Sequence, residues 1–251
     1  MKILDAKHYL LDVSLRRDKV PSFNDYPYSL PVCRNLTRLE FHPAVTFLVG
    51  ENGTGKSTLL EAIAVASGFN PEGGTKNFRF STRSSHSPLH EAHDFSRGLK
   101  RPQDGFFLRA ESFFNIATEI ERMDSEPAPA PPVIGSYGGR SLHEQSHGES
   151  FFALVMKRFG GHGLYLLDEP EAALSPSRQL ALLARIHDLV RRNSQFIIAT
   201  HSPIVMAYPH SKIYLLTEQA ITQVNYTDTE HYAVTREFLN NHDSMLKELL
   251  R

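Results

Sequence analysis

The sequence predicts an α/β protein built on a mainly parallel sheet, and three observations carry the prediction. The apolar run "AVTFLVG" (44–50) turns through a glycine-rich loop into "KSTLLEAIAVAS" (56–67), whose apolar residues fall at helical spacing. Two more short apolar runs, "GLYLLDE" (163–169) and "QFIIAT" (195–200), flank the amphipathic stretch "SPSRQLALLARIHDLVRR" (175–192). Strand, helix and strand in that order, with a short apolar run in each strand, mark a crossover unit in a sheet buried on both faces. Finally, 251 residues of which 41% are hydrophobic can close a substantial core, and we expect one domain spanning 1–251.

Taken in chain order, residues 2–13 and 36–41 have the composition of strands and give a β-rich, antiparallel opening, joined by the turn-rich "VPSFNDYPYSLP" (20–31). Residues 70–105 form a polar, basic insertion with a strand at "NFRFS" (77–81) and a short helical piece near "PLHEAHDF" (88–95). "GFFLRAE" (105–111) is a strand and "SFFNIATEIERM" (112–123) a helix, which opens a helical subdomain over 106–160. Within it "DSEPAPAPPV" (124–133) is a proline-rich, mobile connector, because proline cannot continue the helix. Residues 211–226 suit a closing hairpin and 229–251 two terminal helices.

Charge and cysteine content narrow the setting. A formal net charge of −1 leaves no global basic footprint, so any contact with a polyanion has to be local. The single cysteine, Cys33, has no internal partner, the N-terminus lacks the apolar core of a signal peptide, and no run reaches the roughly 18 apolar residues of a membrane span. The expected location is cytoplasmic, without a transmembrane segment.

The loop "VGENGTGKST" (49–58) carries the first functional signal. It fits G-x-x-x-x-G-K-[ST] between a strand and a helix, a spacing that lets backbone N–H groups converge on phosphate at the helix N-terminus. Gly50, Glu51, Asn52, Gly53, Thr54, Gly55, Lys56, Ser57 and Thr58 are therefore the expected nucleotide-binding residues. Lys56 would reach the β- and γ-phosphates and the Ser57 hydroxyl would hold Mg²⁺, with ATP as the ligand. A metal partner and a base follow in "LYLLDEPEAALSP": Asp168 and Glu169 stand together at the end of an apolar strand, Asp168 suited to Mg²⁺ and Glu169 to polarising water. One strand later "FIIATHSP" places His201 at the same sheet edge, within reach of a γ-phosphate. The expected catalytic residues are Lys56, Glu169 and His201.

These segments together resemble the ABC-type ATPases. "GENGTGKS" resembles their Walker A loop, "LYLLDE" the Walker B strand, "AALSP" the D-loop and "ATHSP" the switch-histidine segment, all in family order. "EQSHGES" (144–150) occupies the place of the signature motif, with Ser146, Gly148 and Glu149 aligned and His147 where the family has glycine, a departure that matters if that position needs positive φ. The resemblance implies a P-loop NTPase fold of ABC-ATPase type. It also implies a head-to-tail homodimer formed with ATP, in which Ser146 and the amides of Gly148 and Glu149 meet the γ-phosphate bound by the other protomer. The chain is similar to a group of small soluble bacterial AAA-family ATPases related to the heads of SMC-like and OLD-like proteins. It departs from transporter ATPases at the Q-loop, where "FFLRAESFF" offers Arg109 or Glu111 instead of glutamine, and Tyr26 or Tyr28 stands where an aromatic stacks on adenine or simply packs.

The expected function is Mg²⁺-dependent ATP hydrolysis coupled to dimer closure and acting on nucleic acid or a partner effector protein. The alternatives are a transporter nucleotide-binding subunit and a non-hydrolysing ATP-gated scaffold. The surface expected to meet a partner lies at 76–101, where Lys76, Arg79, Arg83, Arg97, Lys100 and Arg101 outnumber Glu91 and Asp94, with Phe78, Phe80 and Phe95 interleaved.

Overall fold

In the computed structural model, which describes residues 9–76, 87–110, 113–125, 132–137, 139–141, 143–144 and 146–251, the chain enters through strand β1 (Leu10–Leu15), a short helix α1 (Pro31–Asn35) and strand β2 (Arg38–Glu40). Strand β3 (Val45–Gly50) runs into the glycine loop and helix α2 (Lys56–Ala66). There follow strands β4 (His93–Arg97) and β5 (Asp104–Arg109), helices α3 (Phe113–Ser125) and α4 (His147–Arg158), strand β6 (Gly163–Asp168), helix α5 (Pro176–Arg191) and strand β7 (Gln195–Ala199). The hairpin β8 (Lys212–Leu216) and β9 (Ile221–Val224) leads into helix α6 (Glu230–Leu249). The strand expected at 77–81, the start of the strand at 2–13, most of the connector at 124–133 and Glu111 lie outside the described residues.

Two sheets result. A six-stranded sheet has the order β5-β6-β7-β3-β8-β9, parallel except for β9, and a three-stranded antiparallel sheet has the order β2-β1-β4. The β6-α5-β7 crossover is the expected one. Alternate residues of the central strands divide between two cores. Phe47, Tyr165 and Phe196 face one side with residues of α3, α4 and α5, whereas Leu48, Leu166 and Ile197 face the other with residues of α2 and the antiparallel sheet. Burial on both faces is why these strands are apolar at most positions, with Thr46, Asp168 and Gln195 the buried polar exceptions in β3, β6 and β7.

One element differs from the sequence expectation. Residues 88–95 split into a 3₁₀ turn at Pro88–Ala92 and the strand β4, which pairs with β1, so the basic segment contributes an edge of the antiparallel sheet. The two terminal helices expected at 229–251 are present as the two segments of α6, which meet at a kink at Asn241, whose φ of −132° and ψ of 29° are not helical. No helix among the described residues is long and apolar enough to cross a membrane.

The parallel strands β3, β6 and β7 all point their C-terminal ends to one edge, which brings Gly50, Asp168 and the residues after Ala199 together.

Candidate nucleotide site

The loop after β3 is arranged for an anion. Gly55 caps α2 with φ of +96°, and a Cβ there would stand 2.5 Å from Cγ1 of Val32, so both backbone and space require glycine. The Val32 N–H donates to the Thr54 carbonyl at 3.1 Å, and the Thr54 hydroxyl donates to the Glu51 carbonyl at 2.9 Å. Helix α2 has no side-chain cap and no acid in its first turn. Its N-terminal amides are thus left to a ligand, and the helix dipole favours a negative one. Glu51, Asn52 and Gly53 are exposed at the loop tip, and Ser57 and Thr58 sit half-buried in the first turn.

Lys56 is buried, with Nζ donating to the carbonyls of Gly50 and Glu51 at 2.8 Å each. Burial pulls its ammonium below the usual lysine range, opposed by the charges of Glu169, Asp168 and Glu171. A lysine that spans its own loop in this way carries a charge to which no acidic side chain is bonded among the described residues, and phosphate oxygens answer that need.

The Ser57 hydroxyl donates to Asp168 Oδ1 at 2.9 Å, and Asp168 is 6% exposed. Arg109, register partner of Asp168 on β5, places Nε 3.6 Å from Asp168 Oδ2 and pairs with Glu61 of α2 at 2.7 Å. Of the two residues expected at the Q-loop, Arg109 thus stands at the end of β5, and Glu111 lies outside the described residues. The oxygen pair Ser57 and Asp168 suits Mg²⁺, which takes few protein ligands beside phosphates and water. The described residues contain no cluster of three or more His, Cys, Asp or Glu that could hold a metal ion.

Glu169 has φ of +49°, a conformation rare for a side-chain-bearing residue, and its Oε1 lies 3.6 Å from Nε2 of His201. The His201 N–H donates to Glu171 Oε1 at 2.6 Å. Burial raises the Glu171 carboxyl above its ordinary value, and burial together with the Lys56 charge lowers the His201 imidazole. Glu171 and His231, both at this edge, were missed in the sequence reading. The third acid of "DEPEAA" would have pointed to Glu171, but nothing local marks His231. A cleft of about 450 Å³ opens beside the loop between Gly50, Glu51, Thr54, Leu216, Glu218 and His231. Of the two tyrosines, Tyr28 is packed in the core, which removes it as a base-stacking group, and Tyr26 is exposed.

Ser146, Gly148 and Glu149 open α4. His147 lies in the first turn with helical backbone, so the position does not call for glycine. Gly148 does need to be one: a Cβ would stand 2.5 Å from the Ala173 carbonyl of the segment following Glu169. Ser146 and Glu149 cap each other. The Glu149 N–H donates to Ser146 Oγ at 3.3 Å, while the Ser146 N–H and hydroxyl donate to Glu149 Oε2 at 3.1 and 2.6 Å. Among the described residues no hydrogen bond or ion pair joins these three to the loop of their own chain.

Residues 23–112 match a family model described as "AAA domain", and residues 133–207 match one described as "AAA domain, putative AbiEii toxin, Type IV TA system". An uncharacterized ABC transporter ATP-binding protein of Haemophilus influenzae is 26% identical over 185 residues, covering 68% of this chain and 69% of the relative. Among solved structures, a nucleotide-free ATP-binding cassette from an ABC transporter superposes with a TM-score of 0.52 at 14% identity, over 91% of this chain and 95% of that one. A second ATP-binding cassette of an ABC transporter gives 0.54 at 15% identity, over 90% and 98%. At such identities the likeness carries the fold alone. Residues 23–112 and 133–207 are thus similar to AAA-type domains, and the chain has the P-loop fold of the ABC-type ATPases.

Proposed function

We propose that this chain hydrolyses ATP with Mg²⁺ and that ATP closes two copies head to tail. The observation that carries the reading is the convergence, at one sheet edge, of an uncapped helix N-terminus, Lys56, the Ser57–Asp168 pair and the Glu169–His201 pair. The α2 amides and Lys56 would bind the β- and γ-phosphates of ATP. Ser57 and Asp168 would hold Mg²⁺, which when bound supplies charge neutralisation to the phosphates. Glu169 would take the proton of the attacking water as its oxygen bonds to the γ-phosphorus, the bond to the ADP oxygen breaks, and His201 donates to the departing phosphoryl group. On the second protomer, Ser146 and the amides of Gly148 and Glu149 would complete the γ-phosphate site once the Glu149 carboxylate gives up its own cap.

The test is phosphate release with Mg²⁺-ATP. Lys56→Ala should abolish ATP binding by calorimetry without unfolding the protein, and Glu169→Gln should keep binding while turnover falls by roughly 10² to 10⁴. Wild-type protein that releases no phosphate, or a Glu169→Gln protein that turns over normally, removes the reading. For the coupled event we favour a polyanionic partner, nucleic acid, at the basic edge of β4 over an effector protein. The transporter-subunit alternative is favoured by the description of the Haemophilus influenzae relative, and co-purification with a membrane subunit would establish it.

A further inference from the structure

His201 has two ring nitrogens in different surroundings. Nδ1 lies 3.2 Å from Nε2 of His231, the second residue of α6, and the two rings have centroids 5.4 Å apart. Nε2 is buried, makes no hydrogen bond among the described residues and lies 3.6 Å from Glu169 Oε1. Nδ1 of His231 is likewise buried without a hydrogen bond there. Two imidazole nitrogens at 3.2 Å share a single proton, since two N–H groups would collide and two lone pairs would repel.

Which ring owns that proton decides what His201 presents to the catalytic side. If His201 donated from Nδ1, its Nε2 would turn a lone pair toward a carboxylate and a γ-phosphate, both acceptors. If His231 donates, His201 Nε2 carries the hydrogen, and both contacts become attractive. We infer that His231 is a positioning residue: by donating from Nε2 to His201 Nδ1 it holds the catalytic histidine in the Nε2–H form. The inference rests on the ATPase reading above.

The surroundings disfavour the charged form of both rings, and it is in the neutral form that a tautomer matters. Burial and the nearby Lys56 charge lower both imidazoles; Glu169 acts in the opposite sense on His201, Glu230 on His231, and Glu171 accepts the backbone N–H of His201. The start of α6 is itself fixed. Thr229, fully buried, caps the helix by accepting the Tyr232 N–H at 3.3 Å and donates its hydroxyl to the Tyr226 carbonyl at 2.8 Å. A helix that follows the last strand is thereby joined to the phosphate end of the site, and its movement would release the switch histidine.

The test pairs a spectroscopic readout with kinetics. Imidazole ¹⁵N shifts of the wild-type protein, with His201 identified by its loss in His201→Gln, should show His201 protonated at Nε2 and bare at Nδ1. In His231→Ala the signal should move toward a mixture of tautomers, kcat should fall about 10- to 100-fold and KM should stay within about twofold. His231→Gln, whose amide N–H₂ reaches the same position, should restore most of kcat, which a merely structural loss would not do. A bare Nε2 on wild-type His201, or an unchanged kcat in His231→Ala, overturns the inference. A wild-type protein without ATPase activity would remove the activity reading alone, and the nitrogen spectrum, which needs no turnover, would still decide the tautomer.

Discussion

His93 begins β4 with both ring nitrogens buried and neither hydrogen-bonded among the described residues, its ring meeting Phe95 edge to face at 5.7 Å. Burial pushes its imidazole down to about 4. In the unfolded chain the ring takes up a proton near the ordinary value of about 6.5, so between those two points the unfolded state binds more protons and stability rises with pH. The fold should be fully stable with respect to this group above about pH 6.5 and lose on the order of 3 kcal/mol as pH falls toward 4, with no further loss from it below. Urea unfolding at pH 7 and at pH 4.5 should show that loss in the wild type and a smaller one in His93→Phe; equal losses in both would place the proton elsewhere. The same scale separates what could be read from sequence. Lys56, Ser57, Asp168 and Glu169 are legible because their partners sit at fixed spacing beside an apolar run. His231 is not, because it reaches His201 only after β8 and β9 have been laid down, and a contact between residues 30 apart leaves no local pattern.

At the scale of elements, strands buried on both faces announce themselves, whereas β4 does not: of His93, Asp94, Phe95, Ser96 and Arg97 only the first is buried, so it resembles a polar insertion until β1 supplies its hydrogen bonds. This edge is also where the basic segment gathers. Lys76, Arg97, Lys100 and Arg101 line a cavity of about 600 Å³ that reaches Leu164 at the start of β6, the opposite end of the strand from Asp168. Burial lowers the Lys76 ammonium and the neighbouring Arg97 and Arg101 charges lower it further, a crowding of like charge that a polyanion would relieve. Arg97 also donates to the Ala66 carbonyl and so has a structural share. The cleaner variant is Lys100→Glu with Arg101→Glu. If the edge binds nucleic acid, this pair should lower affinity for a fluorescent single strand at low salt and reduce the salt slope by about one per lost phosphate contact, with basal ATPase unchanged. No binding by the wild type at low salt with ATP present would remove nucleic acid as the partner.

For the whole molecule, the two helix N-termini that the dimer would set against one phosphate are in different states. Helix α2 is bare, whereas α4 is closed on itself by Ser146 and Glu149, and Gly148 lets α4 lie close to the Ala173 carbonyl in the segment after Glu169. A γ-phosphate from a second protomer would have to displace the Glu149 carboxylate from Ser146, so assembly carries the loss of a helix cap, about 1 kcal/mol, that charge-assisted bonds to phosphate offset. The order of the central sheet, with β3 between β7 and β8, could not be read from local periodicity, yet it is what aligns these parts on one edge. The resulting expectation is specific. Glu169→Gln keeps shape and volume but cannot accept a proton, so with Mg²⁺-ATP the closed state should accumulate, and light scattering should give about twice the monomer mass where the free protein is monomeric. Where the free protein is already dimeric, a compaction in small-angle scattering takes the place of the mass change. Adding Ser146→Arg should reverse either change, because a bulky cation would displace the hydroxyl one protomer offers to the other's phosphate. A trapped dimer indifferent to Ser146→Arg would show that α4 does not provide the second wall of the site.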